Sequence, residues 1–203
     1  MFDVAQGTDE WMRARMGKVT ASAISNCVMA KTTAGWQNYQ AQLICERLTG
    51  QPTETFKSAA MDRGNELEPQ ARAFYELESG NTVEEVGFIQ HPKIEGAGCS
   101  PDGLIGLDGG LELKCPGQAK HIKNLMGGTI DKGYMLQMQW SMECTGREWW
   151  DFGSFNPDFP DHLKISIRRV ERNAEVCEEL KAATTTFLEE MESKLLVLEG
   201  MAA

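Results

Sequence analysis

One stretch, LIGLDGGLELK from Leu104 to Lys114, constrains the fold of this chain more than any other. Two apolar runs flank Asp108, Gly109 and Gly110, which accept positive φ, so the segment predicts a β-hairpin turning at those three residues. Side chains in a strand alternate between faces, so Leu111 and Leu113 are expected in a core, with Glu112 and Lys114 together on the other face. The hairpin folds the chain back and brings Asp102, at the beginning of its first strand, close to the end of the second. Two carboxylates and an ammonium are therefore expected to converge.

The flanking sequence supplies helices. Thr8 is placed to cap a short helix over 9–15 that is acidic in its first turn and basic in its last, and Gly17 ends it. A second helix is expected from Ser22. After an exposed loop from Lys31 to Gln37 comes a helix with Tyr39, Leu43, Ile44 and Leu48 on its apolar face. Between Met61 and Glu78, Leu67, Ala71, Phe74 and Tyr75 keep a helical period, and Glu68 and Arg72 lie one turn apart on a neighbouring stripe. Residues 82–90 read as one strand, 119–128 and 132–144 as helices, and the aromatic run 148–155 as a strand. In 162–170, Leu163, Ile165 and Ile167 alternate with Lys164, Ser166 and Arg168, a half-buried strand. A long amphipathic helix closes the chain over 173–199, its apolar face made of Val176, Leu180, Phe187, Met191, Leu195 and Leu198. The sum is an α/β (α+β) fold with a small central sheet flanked by helices. At 203 residues it is expected to form a single domain, 1–203.

Composition excludes several classes. No apolar run approaches the roughly 18 residues of a membrane span. Residues 1–17 hold Asp3, Asp9 and Glu10 in place of a basic segment leading into an apolar one, so neither a membrane-spanning nor a secreted protein is expected. The six cysteines show no CxxC pairing and the three histidines are dispersed, which argues against a disulfide scaffold and against zinc and points to reduced thiols in a cytoplasm. Trp11, Trp140, Trp149 and Trp150 are expected in the core or at a subunit interface. The net charge of −10 opposes a nucleic-acid partner on average, unless the 20 Lys and Arg gather on one concave or ring-enclosed face.

Asp102, Glu112 and Lys114 suit Mg²⁺, with Mn²⁺ as a substitute, because hard cations take carboxylate oxygens together with water and substrate phosphate. With Lys114 to orient water or meet developing negative charge, such a cluster is equipped for phosphodiester hydrolysis. Asp-Gly in a turn and Glu-x-Lys on a strand are ordinary when taken singly. Pro101 before Asp102, the hairpin spacing and the apolar frame of Leu111 and Leu113 together favour a functional site.

The segment SPDGL followed by LELKCP resembles the signature of the PD-(D/E)xK nuclease superfamily, and specifically the lambda exonuclease group of YqaJ-type viral recombinases. QGTDEWMRARMGKVTAS, RGNELEPQARAFYE and YMLQMQWSM extend the resemblance over nearly the whole chain. It implies a restriction-endonuclease-like PD-(D/E)xK core in which Asp102, Glu112 and the main-chain carbonyl of Leu113 bind Mg²⁺ and Lys114 is the catalytic lysine. It further implies that Glu68 sits near the metals, that Gln137 places the attacking water, and that Arg15, Thr20, Ser22 and Ser100 grip a 5′ phosphate. Met61 falls where the family has an apolar wedge that splits terminal base pairs. Thr33 stands where the lambda enzyme has an arginine that enters the duplex, leaving Lys31 as the only charge of that loop. Read without the resemblance, Glu68 pairs with Arg72, Gln137 is a helix-surface amide and Ser22 a helix cap.

The activity implied is Mg²⁺-dependent 5′-to-3′ exonuclease digestion of linear double-stranded DNA ends, preferring a 5′ phosphate and leaving a 3′ single strand for phage-type recombination. The implied assembly is a homotrimeric ring in the cytoplasm of a bacterial host, with a phage single-strand annealing protein as partner. An endonuclease or nickase with the same core, and a non-catalytic DNA-end-binding protein, are the alternatives.

Overall fold

The computed structural model describes residues 5–53 and 59–201. Helix α1 (Asp9–Arg15) begins as its sequence dictates: the Thr8 hydroxyl accepts from the Trp11 amide at 3.2 Å, and the chain leaves the helix through Gly17 at φ +67°. Strand β1 (Val19–Thr20) passes through a 3₁₀ turn at Ala21–Ala23, where a helix from Ser22 was expected, into the short α2 (Ile24–Cys27). Helix α3 (Ala34–Thr49) begins inside the segment read as a loop, because the Thr33 hydroxyl caps it by accepting from the Trp36 amide. Helix α4 (Ala59–Ser79) holds Pro69 in its interior.

The stretch 82–90 is two strands and not one. β2 (Val83–Glu84) and β3 (Ile89–Gln90) join different sheets, and Val86 and Phe88 are buried at the crossing between them. β4 (Ala97–Cys99), β1 and β3 form a three-stranded sheet in the order β1-β4-β3. β5 (Gly103–Ile105) and β6 (Gly109–Lys114) are the expected hairpin, but its turn lies two residues earlier, at Gly106, Leu107 and Asp108. Gly106 takes the positive φ of +53°, whereas Gly109 and Gly110 are strand residues packed on the rings of Trp149 and Trp150. A Cβ at either glycine would lie 2.1 or 2.3 Å from those rings, so these glycines serve close approach and not the turn.

Helices α5 (Gln118–Leu125) and α6 (Lys132–Thr145) follow, then β7 (Trp149–Phe155), β8 (Ile165–Glu171) and α7 (Ala174–Gly200). The second sheet runs β2-β5-β6-β7-β8, with β6 and β7 parallel and the other pairs antiparallel. Leu163 stands in a 3₁₀ turn before β8, which shortens the strand read from 162. Three apolar clusters fill the spaces between sheets and helices. The largest joins α2, α3, α6 and α7 around Trp36, Leu43, Trp140 and Phe187. Another lies under β7 around Met138, Trp150 and Phe152, and the third holds α4 to the sheet through Ala71, Tyr75, Leu111 and Phe155. Leu48 and Leu198, assigned to buried helix faces, stay 47% and 41% exposed at the ends of their helices.

Candidate active site

The hairpin does what its alternation demands. Leu111 and Leu113 enter the core, while Glu112 and Lys114 share the other face, where the Lys114 ammonium donates to Glu112 Oε1. Asp102, just before β5, accepts from the Leu113 amide through Oδ2 at 2.6 Å, so its carboxylate is fixed beside the end of β6. From α6, Gln137 Nε2 donates to the same Glu112 Oε1 at 2.7 Å. Glu68 comes from α4 and accepts from Arg72 at 2.8 Å, the helical pairing expected of these two residues. Asp102, Glu112, Lys114, Glu68 and Gln137 line one cavity of about 580 Å³, with Leu113 in its wall.

Glu112 is 1% exposed, and its Oε2 is buried without a hydrogen-bond partner. Burial, with Asp102 and Glu68 adding repulsion and Lys114 opposing, pushes this carboxyl up to about 7. Burial also raises Asp102 against the pull of Lys114, and raises Glu68 with Asp102 adding to it. Burial alone would lower Lys114, yet Glu112 and Asp102 outweigh it and hold the ammonium above its usual range. Among the described residues no three His, Cys, Asp or Glu side chains form a ready-made metal cage. The donor set still fits a hard divalent cation, because such an ion needs only one or two carboxylates and completes its shell with carbonyl, water and substrate oxygens. The orphaned Glu112 oxygen is the group such an ion satisfies. Asp102 and Glu112, with Leu113 adjoining, would hold it.

The residues assigned to a 5′ phosphate divide. Arg15, Ser22 and Ser100 line the same cavity. Arg15 lies over the Trp11 ring at 4.2 Å, and the Trp11 indole N–H donates to Ser100 Oγ at 3.0 Å. Thr20 does not line the cavity: it is buried behind it, its hydroxyl 3.4 Å from that of Ser22 and its amide donating to Tyr39. Met61 lies near the start of α4, and its side chain falls outside the described residues. Lys31 pairs with Glu190 of α7, which ties the loop before α3 to the body of the protein.

Sequence reasoning missed several members. Trp11 is not core, since α1 buries none of its residues, and it walls the cavity instead. Tyr134 sits under both Lys114 and Lys120, whose ammonium groups lie 5.0 and 4.7 Å from its ring centroid. Its position one turn before Gln137 was a usable signal. Trp140 and Trp150 are fully buried as expected, while Trp149 is covered by the Arg169 guanidinium at 3.5 Å.

Comparison with known proteins agrees with this fold. Residues 10–148 match the model of the YqaJ-like viral recombinase domain. The chain is 45% identical to an alkaline exonuclease from Laribacter hongkongensis, with a TM-score of 0.90 over 96% of this chain and 98% of that one. A structure of the Laribacter exonuclease in complex with dAMP matches with the same identity and coverage and a TM-score of 0.89. A phage-related exonuclease from Haemophilus somnus 129PT, 14% identical over 88% of this chain and 96% of its own, shares the fold at a TM-score of 0.66. No curated protein matches the chain. From the breadth of the family match and the near-complete likeness to the Laribacter enzyme, the chain is a nuclease and belongs to the YqaJ-like viral recombinase family.

Proposed function

We propose that the protein is a Mg²⁺-dependent exonuclease that digests the 5′-phosphorylated strand of linear double-stranded DNA from 5′ to 3′ and leaves a 3′ single strand for recombination. One observation carries this reading: a carboxylate pair with an unpartnered, buried oxygen shares a single cavity with Arg15, Ser22 and Ser100. A cation-seeking carboxylate pair beside an anion-seeking cluster within one cavity suits a strand whose terminal phosphate and adjacent phosphodiester must be held together. Arg15, Lys114 and Lys120 all face this cavity, which supplies local positive charge within a chain of net charge −10.

A divalent cation bound at the carboxylates supplies charge neutralisation on the phosphoryl group and lowers the pKa of a water. Lys114 stays protonated in its carboxylate surroundings, so its role is to donate to the oxygen that gains negative charge, not to act as a base. Gln137, already donating to Glu112, holds that carboxylate, and its amide would help place the reacting water. Arg15 and the Ser22 and Ser100 hydroxyls orient the terminal phosphate, so the scissile bond is set by distance from the end. Mn²⁺ replaces Mg²⁺, and the working unit is a threefold ring enclosing DNA. It acts in the cytoplasm of a bacterial host and hands the 3′ strand to a phage annealing protein. These last features are supported by the family resemblance, and no helix of the described residues is long and apolar enough to cross a membrane.

The test is a linear duplex labelled separately at each 5′ and 3′ end, with and without 5′ phosphate, in Mg²⁺ and in EDTA. Mg²⁺-dependent release from the 5′-phosphorylated strand is expected. Cleavage of covalently closed circles would make it an endonuclease, and absence of any cleavage would return the chain to DNA-end binding. A solution mass near that of one chain would refute the ring.

A further inference from the structure

A second cavity, of about 640 Å³, adjoins the first, and the two meet along Gln6, Trp11, Asn65, Glu68 and Asp102. Their charges differ. Among the described residues, three cations balance three carboxylates in the first, whereas in the second Arg72 alone faces Glu68, Asp102 and Glu85. This second space is built and not incidental: Gln6 Nε2 donates to the carbonyls of Val86 and Pro101 at 3.0 and 2.7 Å, fixing the rim backbone beside Asp102. Arg72, with a side chain only 13% exposed, is shared between Glu68 inside and the exposed Glu85 at the rim.

A DNA end occupying the first cavity covers the basic approach to the carboxylates. That side is then sterically filled by the strand, while the acidic space stays open, and a cleft of one charge sign raises the local concentration of its counter-ion. Asp102 and Glu68 line both cavities, while Glu112, with its buried, partnerless Oε2, lines the first. We propose that the second cavity is the port through which a divalent cation reaches the carboxylates while DNA fills the first, with Glu85 and Arg72 as its rim. The proposal rests on the nuclease reading above. It gives Glu85 a role in loading: by sharing Arg72 it keeps that guanidinium from committing wholly to Glu68. An enzyme that loses its cation with a released nucleotide can then reload without letting go of the strand.

Cation loading is followed by rapid mixing with Co²⁺, using quenching of Trp11 in the shared wall and Trp11→Phe to identify that signal, with and without a bound 5′-phosphorylated duplex end. Loss of the free Mn²⁺ paramagnetic resonance signal gives an independent readout. The parent is expected to load with DNA in place. Glu85→Lys, at an exposed position, is expected to slow loading about 5- to 10-fold with DNA bound and less without it, and the deficit should shrink as salt screens the rim. Glu85→Gln should fall between the two. Blocked loading of the DNA-bound parent, or parental rates in Glu85→Lys, overturns the port and leaves the nuclease reading standing. Failure of the parent to bind Co²⁺ or Mn²⁺ at all overturns both.

Discussion

Glu112 should make the metal-free protein less stable at the alkaline pH where its carboxylate is needed. Its carboxyl rises from an ordinary 4.5 to about 7 on folding, because burial and the neighbouring carboxylates outweigh Lys114. Between those two values the folded chain keeps a proton that the unfolded chain has released, so stability falls as pH rises. From about pH 5.5 to about pH 8.5 this one group removes about 2 kcal/mol, by linkage between the two pKa values. The Glu112→Gln variant has no proton to lose. Urea unfolding in EDTA at the two pH values is expected to show the variant losing about 2 kcal/mol less than the parent, whatever their absolute stabilities. Asp102 and Glu68 shift in the same direction and repel Glu112, so the double difference reports Glu112 together with its interaction with them. Millimolar Mn²⁺ should restore the parent at high pH and leave the variant unmoved. Equal pH slopes for the two proteins would refute the assignment of a raised carboxyl at Glu112.

Other outcomes follow from the same geometry. Lys114→Met should lower the cleavage rate about 10²- to 10³-fold while the protein remains folded by circular dichroism, as expected for loss of one donor to developing charge. Arg15→Ala should cost about 10- to 100-fold in kcat/KM on 5′-phosphorylated ends and little on 5′-hydroxyl ends, measured on matched duplexes. Gly110→Ala would place a Cβ 2.3 Å from the Trp150 ring, and overpacking of about 1–3 kcal/mol should lower the Tm by about 3–10 °C in a thermal melt.

Much of this was legible in the chain. The alternation Leu111, Glu112, Leu113, Lys114 predicts both the core face and the charged pair, because strand period is a local property. Thr8, Gly17 and the apolar stripe of α4 likewise announce their helices. The turn of the hairpin was misread because glycine carries two meanings, positive φ and close approach, and only the far-off Trp149 and Trp150 decide between them. The division of 82–90 between two sheets depends on β4 and β5, partners that the segment itself does not name. The bond from Gln137 to Glu112 joins residues 25 positions apart, and the link from Arg72 to Glu85 joins a helix to a loop; neither has a period to reveal it. Trp11 was assigned to the core or a subunit interface by its size, whereas its location on a surface helix makes it a wall of the site.

Strand β6 has a consequence for how this enzyme can change over generations. Gly109 and Gly110 are committed to the faces of two tryptophans, Leu111 and Leu113 to the interior, and Glu112 and Lys114 to the site. All six positions are spoken for, so the strand holds no residue that can drift without loss. Heritable variation in how the protein handles its substrate must enter through the helices and loops around it. Attempts to alter the enzyme by random substitution should therefore recover their survivors in α1, α4, α5 and the rim of the two cavities, with 109–114 left unchanged.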